Sequence, residues 1–258
     1  LYDKNIEINR KVAYQGRIGR LRENFCAAYI RQKQEDFAEI RREQIKEATG
    51  SSETITCHQG CSACCSLYVE AALQECEAIV YHLYQNDNLL SHFLMNYPIW
   101  RENMRRKGDL FNICQQIWDE ASFLIYGEGL QMDIDEPGVD RSEETICPFL
   151  REGICSIYPV RPYVCAAFSV TTPARWCSPY YPRVPKIYRI MPERLKMSDL
   201  SFYYRPLDAP LISSMPMTIY EILTGGMGYL STVPGLSGLN DAFRDDAEVM
   251  AVLKDEAI

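Results

Sequence analysis

Between residues 17 and 48 the apolar side chains Leu21, Phe25, Tyr29, Phe37, Ile40 and Ile45 recur at near-helical spacing among many Arg, Lys, Glu and Gln residues. The pattern predicts one long amphipathic helix that docks a single stripe on the body of the protein and stops at Gly50-Ser51-Ser52. A second helix is expected over about residues 69–85, with Leu73, Cys76, Val80, Leu83 and Tyr84 facing inward. A third is expected over about 88–105, interrupted or kinked near Pro98. A fourth opens at Asp109 as N-cap and carries Leu110, Ile113, Ile117, Ala121 and Leu124 to a stop at Gly127. Two short helices, about 216–224 and 240–256, follow across a Gly-rich linker from Gly225 to Gly238.

Two stretches have no period. Residues 57–66 are loop-like, and residues 147–185 hold seven prolines, from Pro148 to Pro185, which remove backbone donors and forbid long regular elements. Short extended pieces are expected only near 187–190 and 202–204. The fold class is therefore mainly α, with extensive irregular Cys/Pro-rich loops organised around metal and little β. The segments read as an N-terminal amphipathic helical arm (1–50), a cysteine-cluster metal-binding domain (51–190) and a C-terminal extension with short helices (191–258).

Composition sharpens this picture. At 258 residues and 47% hydrophobic the chain can bury a genuine core, and a formal charge of −8 makes nucleic acid a poor partner. No run of 18 apolar residues appears, so no transmembrane segment is expected, and residues 1–20 contain no apolar signal-like stretch. The expected setting is cytoplasmic, with a protein partner. Eleven cysteines in such a chain point to metal ligation rather than to disulfides, and their odd number argues against complete pairing.

Eight of them fall in the two irregular stretches. The first group is Cys57-His58-Gln59-Gly60-Cys61-Ser62-Ala63-Cys64-Cys65, in which short spacers let successive thiolates converge and small residues let the backbone fold tightly. The second comprises Cys147, Cys155, Cys165 and Cys177. Eight thiolates exceed the four that one tetrahedral zinc or one cubane uses, so either two centres are expected, or some cysteines support the ligands from behind or serve as redox partners. Cys64 and Cys65 are adjacent, and adjacent side chains usually diverge. They are expected to serve different centres, or one is spare.

These residues resemble the CxxCxxCC (YkgJ-like) cysteine-cluster family of zinc- or iron-chelating domains. The resemblance rests on Cys57-x3-Cys61-x2-Cys64-Cys65 before a helix near Glu70, on Cys147-Pro-Phe-Leu, on Gly153-Ile-Cys-Ser-Ile-Tyr158, and on Arg161-Pro162-x2-Cys165, over about residues 55–180. It implies metal or iron–sulfur binding, with one branch resembling flagellin lysine-N-methylase. Many relatives place an arginine after the cysteine matching Cys165, where this chain has Ala166. The Cys57–Cys64 spacing is also that of the radical S-adenosylmethionine motif. Ala63 and the lack of alternating strand–helix units set that class aside. The same spacing holds a cubane through three thiolates. Together with Cys147-Pro148 it favours an iron–sulfur cluster, of 4Fe-4S type, over zinc.

His58 could donate to a thiolate or replace one as ligand, although the neighbouring thiolates suffice and an exposed loop histidine is the plainer reading. Arg161 could neutralise thiolate charge or donate to cluster sulfurs, or else pair with the acidic residues 133–144. His82 and His92 lie away from the motifs. Cys26, Cys76 and Cys114 sit on apolar helical faces and read as small buried residues, and the five methionines between Met191 and Met227 read as core rather than copper ligands. The leading function is a metal-binding accessory or electron-transfer protein. The alternatives are a methyltransferase-like enzyme and a structural zinc module.

Overall fold

The long polar-rich run forms one helix. A computed structural model describes residues 3–106, 124–125, 146–177, 183–189, 211–233 and 236–256. In it α1 (Lys4–Val12) precedes the 35-residue α2 (Gly16–Gly50). The stripe that α2 buries differs from the expected one. Leu21 and Ile45 are 56% and 48% exposed, whereas Arg22, Lys33, Asp36 and Gln44 are buried in line with Cys26, Tyr29 and Ile40. The apolar residues chosen from the pattern straddle two faces. The buried line steps by three and four through residues 22, 26, 29, 33, 36, 40 and 44.

Two of those charges, Arg22 and Lys33, are buried because α3 meets them with opposite charge. Strand β1 (Glu70–Ala72) runs directly into α3 (Leu73–Tyr84), and Leu73 to Val80 are all buried, Glu75 and Glu77 among them. Arg22 Nε donates to Glu77 Oε1 at 2.5 Å and Arg22 Nη1 to Ala13 O at 3.1 Å, while Lys33 Nζ lies 3.1 Å from Glu75 Oε1. A buried charge is tolerated only when paired and hydrogen-bonded, so these contacts fix the register of α2 on α3.

Helix α4 (Asp87–Arg106) continues through Pro98 and turns Leu90, Phe93, Tyr97, Trp100 and Met104 inward at helical spacing. The helix expected from Asp109 falls mostly outside the described residues. Its Leu124 does not belong to a helix: β2 (Leu124–Ile125) pairs antiparallel with β7 (Leu211–Ser214), which pairs in turn with β1, giving the order β1-β7-β2. Strand pairing overrides the local period there, because a residue's neighbours across a sheet outweigh its own propensity. Two small antiparallel pairs complete the β structure among the described residues, β3 (Leu150–Arg151) with β4 (Ile154–Cys155) and β5 (Phe168–Val170) with β6 (Ile187–Arg189). The mainly α architecture with little β is as expected.

The first part of the Gly-rich stretch is helical: α6 (Met215–Leu230) runs through Gly225 and Gly228 and is kinked at Gly226, whose φ is 53°. The side-chain amide of Asn9 donates to Leu223 O (3.0 Å) and Thr224 O (2.7 Å), satisfying carbonyls that the break leaves without helical partners. A Cβ on Gly226 would stand 2.5 Å from Asn9 Oδ1, so both conformation and space call for glycine. Met215, Met217 and Met227 are buried core residues. The expected 240–256 helix is two, α7 (Leu239–Arg244) and α8 (Ala247–Asp255), because Asp246 turns its carboxylate onto Glu248 N and caps α8.

One apolar cluster takes Ile6 and Val12 from the N-terminal segment, Leu83, Phe93, Phe149 and Ile157 from the middle, and Ile222 and Val249 from the C-terminal segment. Helix α8 is also tied to the start of α2. Asp246 accepts from Arg17 N, and Glu248 accepts from Gly16 N and from Arg20. Backbone donors hold Asp246, and chiefly Arg20 holds Glu248, below their ordinary values. A carboxylate depressed in the folded state stabilises above its unfolded pKa, about 4, and loses that contribution as pH falls through the folded value. Amide protection factors in α8, taken against the intrinsic rate at each pH, should therefore fall below about pH 4. Protection that stays constant from about pH 5 to about pH 2 would show that the apolar contacts alone hold the helix.

Candidate metal centre

The second cysteine group is shaped first by an apolar anchor. Phe149 is buried and stacks on Phe93 with centroids 4.7 Å apart. From that anchor the chain makes a hairpin, Leu150 opposite Cys155 and Arg151 opposite Ile154. Glu152 (φ 51°) and Gly153 (φ 78°) form its two-residue turn, a tight reversal that needs positive φ at both positions. Ser156 N and Oγ both bond Phe149 O, at 2.9 and 2.8 Å, and His92 Nε2 meets Leu150 O at 3.0 Å. Cys147 and Cys155 are thus fixed at the two ends of a short rigid loop.

The first group is a string of tight turns: Cys61 N bonds His58 O, Cys65 N bonds Ser62 O and Leu67 N bonds Cys64 O, at 2.9–3.1 Å. Gly60 supplies a φ of 90°. A backbone bond joins the two groups directly, Cys147 N to Cys65 O at 2.8 Å. Cys57 is tied from the other side, its sulfur accepting from Val170 N at 3.3 Å and its carbonyl from Arg41 Nη2 at 2.9 Å. Cys165 lies on α5 (Tyr163–Ala167), directly after the Arg161-Pro162 turn.

The thiols influence one another's ionisation. Burial pushes Cys147 up to about 12, with Cys155 and Cys64 adding to the shift. Burial likewise raises Cys165, which also feels Cys64, Cys147 and Cys155. Cys57 is raised by burial and by Cys61 and Cys64. Cys64 and Cys65 do not diverge as expected. They share a hydrogen bond that lowers Cys64 to about 7 and drives Cys65 far above its ordinary value. Seven of the eight candidate ligands, Cys57, Cys61, Cys64, Cys65, Cys147, Cys155 and Cys165, therefore belong to one chain of such influences. Cys177 is buried at the end of a 3₁₀ turn (Ala174–Cys177).

Two features favour thiolates here. The backbone N–H of Phe149 points at the Cys147 sulfur, that of Ile157 at the Cys155 sulfur and that of Val170 at the Cys57 sulfur, and each contact stabilises the charged form. The Arg161 guanidinium adds to the lowering of Cys64, which its hydrogen bond with Cys65 dominates, and it opposes the burial that raises Cys155. It is stacked 3.7 Å from the Tyr158 ring centroid and bonded to Tyr158 O, and the acidic residues 133–144, its other expected partners, lie outside the described residues. All ten described cysteines are free thiols. Soft sulfur donors suit zinc or iron, whose charge would offset the burial that opposes ionisation. Among the described residues, no three His, Cys, Asp or Glu side chains close on one point as they stand, so ligation requires the cysteine side chains to turn inward.

His58 is exposed and its Nδ1 lies 3.2 Å from Thr56 O, so it braces its own loop. Cys26 and Cys76 are wholly buried, as expected of small apolar residues, and Cys114 lies outside the described residues. Sequence reasoning missed Lys33, Asp36, Gln44 and Glu75, which touch the Cys165 turn. The signal was present: those α2 charges share the three-four phase of Cys26, Tyr29 and Ile40.

A helical scaffold that gathers soft sulfur donors from two loops defines a thiol-rich chelating protein. The chain belongs to the CxxCxxCC family, described as "Putative zinc- or iron-chelating domain", which matches residues 56–204. That match is to the family as a whole and does not single out the flagellin lysine-N-methylase branch. No curated protein and no solved structure matches the chain significantly.

Proposed function

We propose that the protein carries an iron–sulfur cluster and acts in electron transfer or as an accessory to a protein partner. The ligands are drawn from Cys57, Cys61, Cys64, Cys65, Cys147, Cys155 and Cys165, with Cys177 as a further donor. The supporting observation is the bond from Cys147 N to Cys65 O, which draws both cysteine groups together and offers more sulfurs than one tetrahedral zinc uses. The spacing of Cys57, Cys61 and Cys64 suits three corners of a cubane. Arg161 is the counter-charge, and the bound cluster would supply a one-electron redox couple. Free thiols and the absence of any described helix able to cross a membrane fit a reducing, cytoplasmic setting.

Protein purified anaerobically should contain iron and acid-labile sulfide and show a visible absorption that dithionite bleaches. Stoichiometric zinc in a colourless protein overturns the iron–sulfur reading and leaves a zinc site. Metal-free protein with paired cysteines overturns both.

A further inference from the structure

The buried polar side chains of α2 have no role in the function as proposed, and most of them end on the cysteine segments. Lys33 Nζ bonds Val160 O at 3.3 Å as well as Glu75. Glu75 in turn accepts from Tyr163 N at 2.7 Å, at the start of the helix that bears Cys165. Asp36 accepts from the Tyr163 hydroxyl at 2.7 Å, and Gln44 donates to Ala166 O and Ala167 O at 3.2 and 2.7 Å. Arg41 holds Cys57 O from the same helix. The matched family region begins only at residue 56, so all four α2 side chains come from outside it.

We infer that α2 is a working part of the metal centre: Lys33, Asp36 and Gln44 are positioning residues for Cys165, and Arg41 is one for Cys57. The inference rests on the thiolate centre proposed above. Two physical points carry it. Apolar side chains in a buried stripe would stabilise the helix contact at least as well as an ion pair, but they could not bond Val160 O, Tyr163 or the Ala166 and Ala167 carbonyls. The contacts also reach both cysteine groups: Arg41 bonds the carbonyl of Cys57 itself, and Lys33, Asp36 and Gln44 bond the backbone and the Tyr163 hydroxyl on either side of Cys165. Residues that orient metal ligands from behind typically change metal affinity by about 10–100-fold when removed.

The test compares metal release from the as-purified full chain into an excess of a coloured chelator, for wild type, Arg41→Met, Arg41→Lys and Gln44→Leu. Arg41 is half-buried and Gln44→Leu conserves volume, so metal-free melting temperatures and helical signal should match wild type. Arg41→Met and Gln44→Leu should hold metal about 10–100-fold more weakly, with an altered thiolate-to-metal absorption, and Arg41→Lys should recover most of the loss. Folded variants that retain metal as wild type does overturn the inference and leave the thiolate centre standing. Wild-type protein that holds no metal overturns both.

Discussion

Stripping the metal with an anaerobic chelator is expected to expose residues 57–67 and 147–158 to protease first, while residues 160–170 stay protected. Structural thiolate sites contribute roughly 10–16 kcal/mol in apparent terms, which rivals the roughly 5–15 kcal/mol net stability of a whole domain. Without metal the turns from Cys61 to Leu67 keep mainly their own short-range backbone bonds and the one from Cys147 N. The proline-rich segment beyond them differs, because Lys33, Gln44 and Glu75 bind its backbone from α2 and α3 regardless of the metal. The helices α2, α3 and α4 should keep their far-ultraviolet signal. Limited digestion before and after chelation, with the first cuts mapped, reads this directly. Early cuts between 160 and 170 would mean that the α2 contacts form only around the loaded centre.

The second large effect is expected at the pair Lys33–Glu75. Lys33 is fully buried, its ammonium enclosed by Tyr29, Phe37 and Tyr163 at 5.0–5.7 Å from the ring centroids. Burial lowers its pKa, and the Glu75 carboxylate opposes that shift. Glu75→Gln leaves this cation without its counter-charge and should destabilise the fold by about 3–5 kcal/mol. Replacing both partners, as Lys33→Met with Glu75→Gln, should lose less than the two single changes added together. Urea unfolding monitored by helical signal gives both quantities, provided the slope with denaturant stays constant. A loss under about 1 kcal/mol for Glu75→Gln would place the pair among the weak, solvent-relieved ion pairs.

The sequence made the family legible and the scaffold only partly so. The spacing of Cys57 to Cys65, and the Cys147 to Cys165 run with its prolines, carried the resemblance to the chelating family that matches residues 56–204. The inward residues of α3 were equally plain, since Leu73, Cys76, Val80 and Leu83 follow the helical period. What stayed hidden lies in pairing between distant segments. Lys33 and Glu75 each look like solvated charges until the two helices are placed side by side. Leu124 fits a helical period as well as a strand, and only its partner at Ile212 decides between them. Gly226 reads as a breaker because Asn9, which repairs the break, stands far away in the chain.

That last contact bears on how the protein is made. Asn9 and Leu223 are separated by 214 residues, so the core between α1 and α6 cannot close until both have left the ribosome. At about 5–20 residues per second the interval is roughly 10–40 s. Both cysteine groups emerge within it. During that time their thiols stand in a chain whose N-terminal helix has no partner, open to metal insertion and equally to oxidation. The closure at Asn9 thus falls after the cysteines have been synthesised, and the order of events in the growing chain favours loading the centre before the final helices dock.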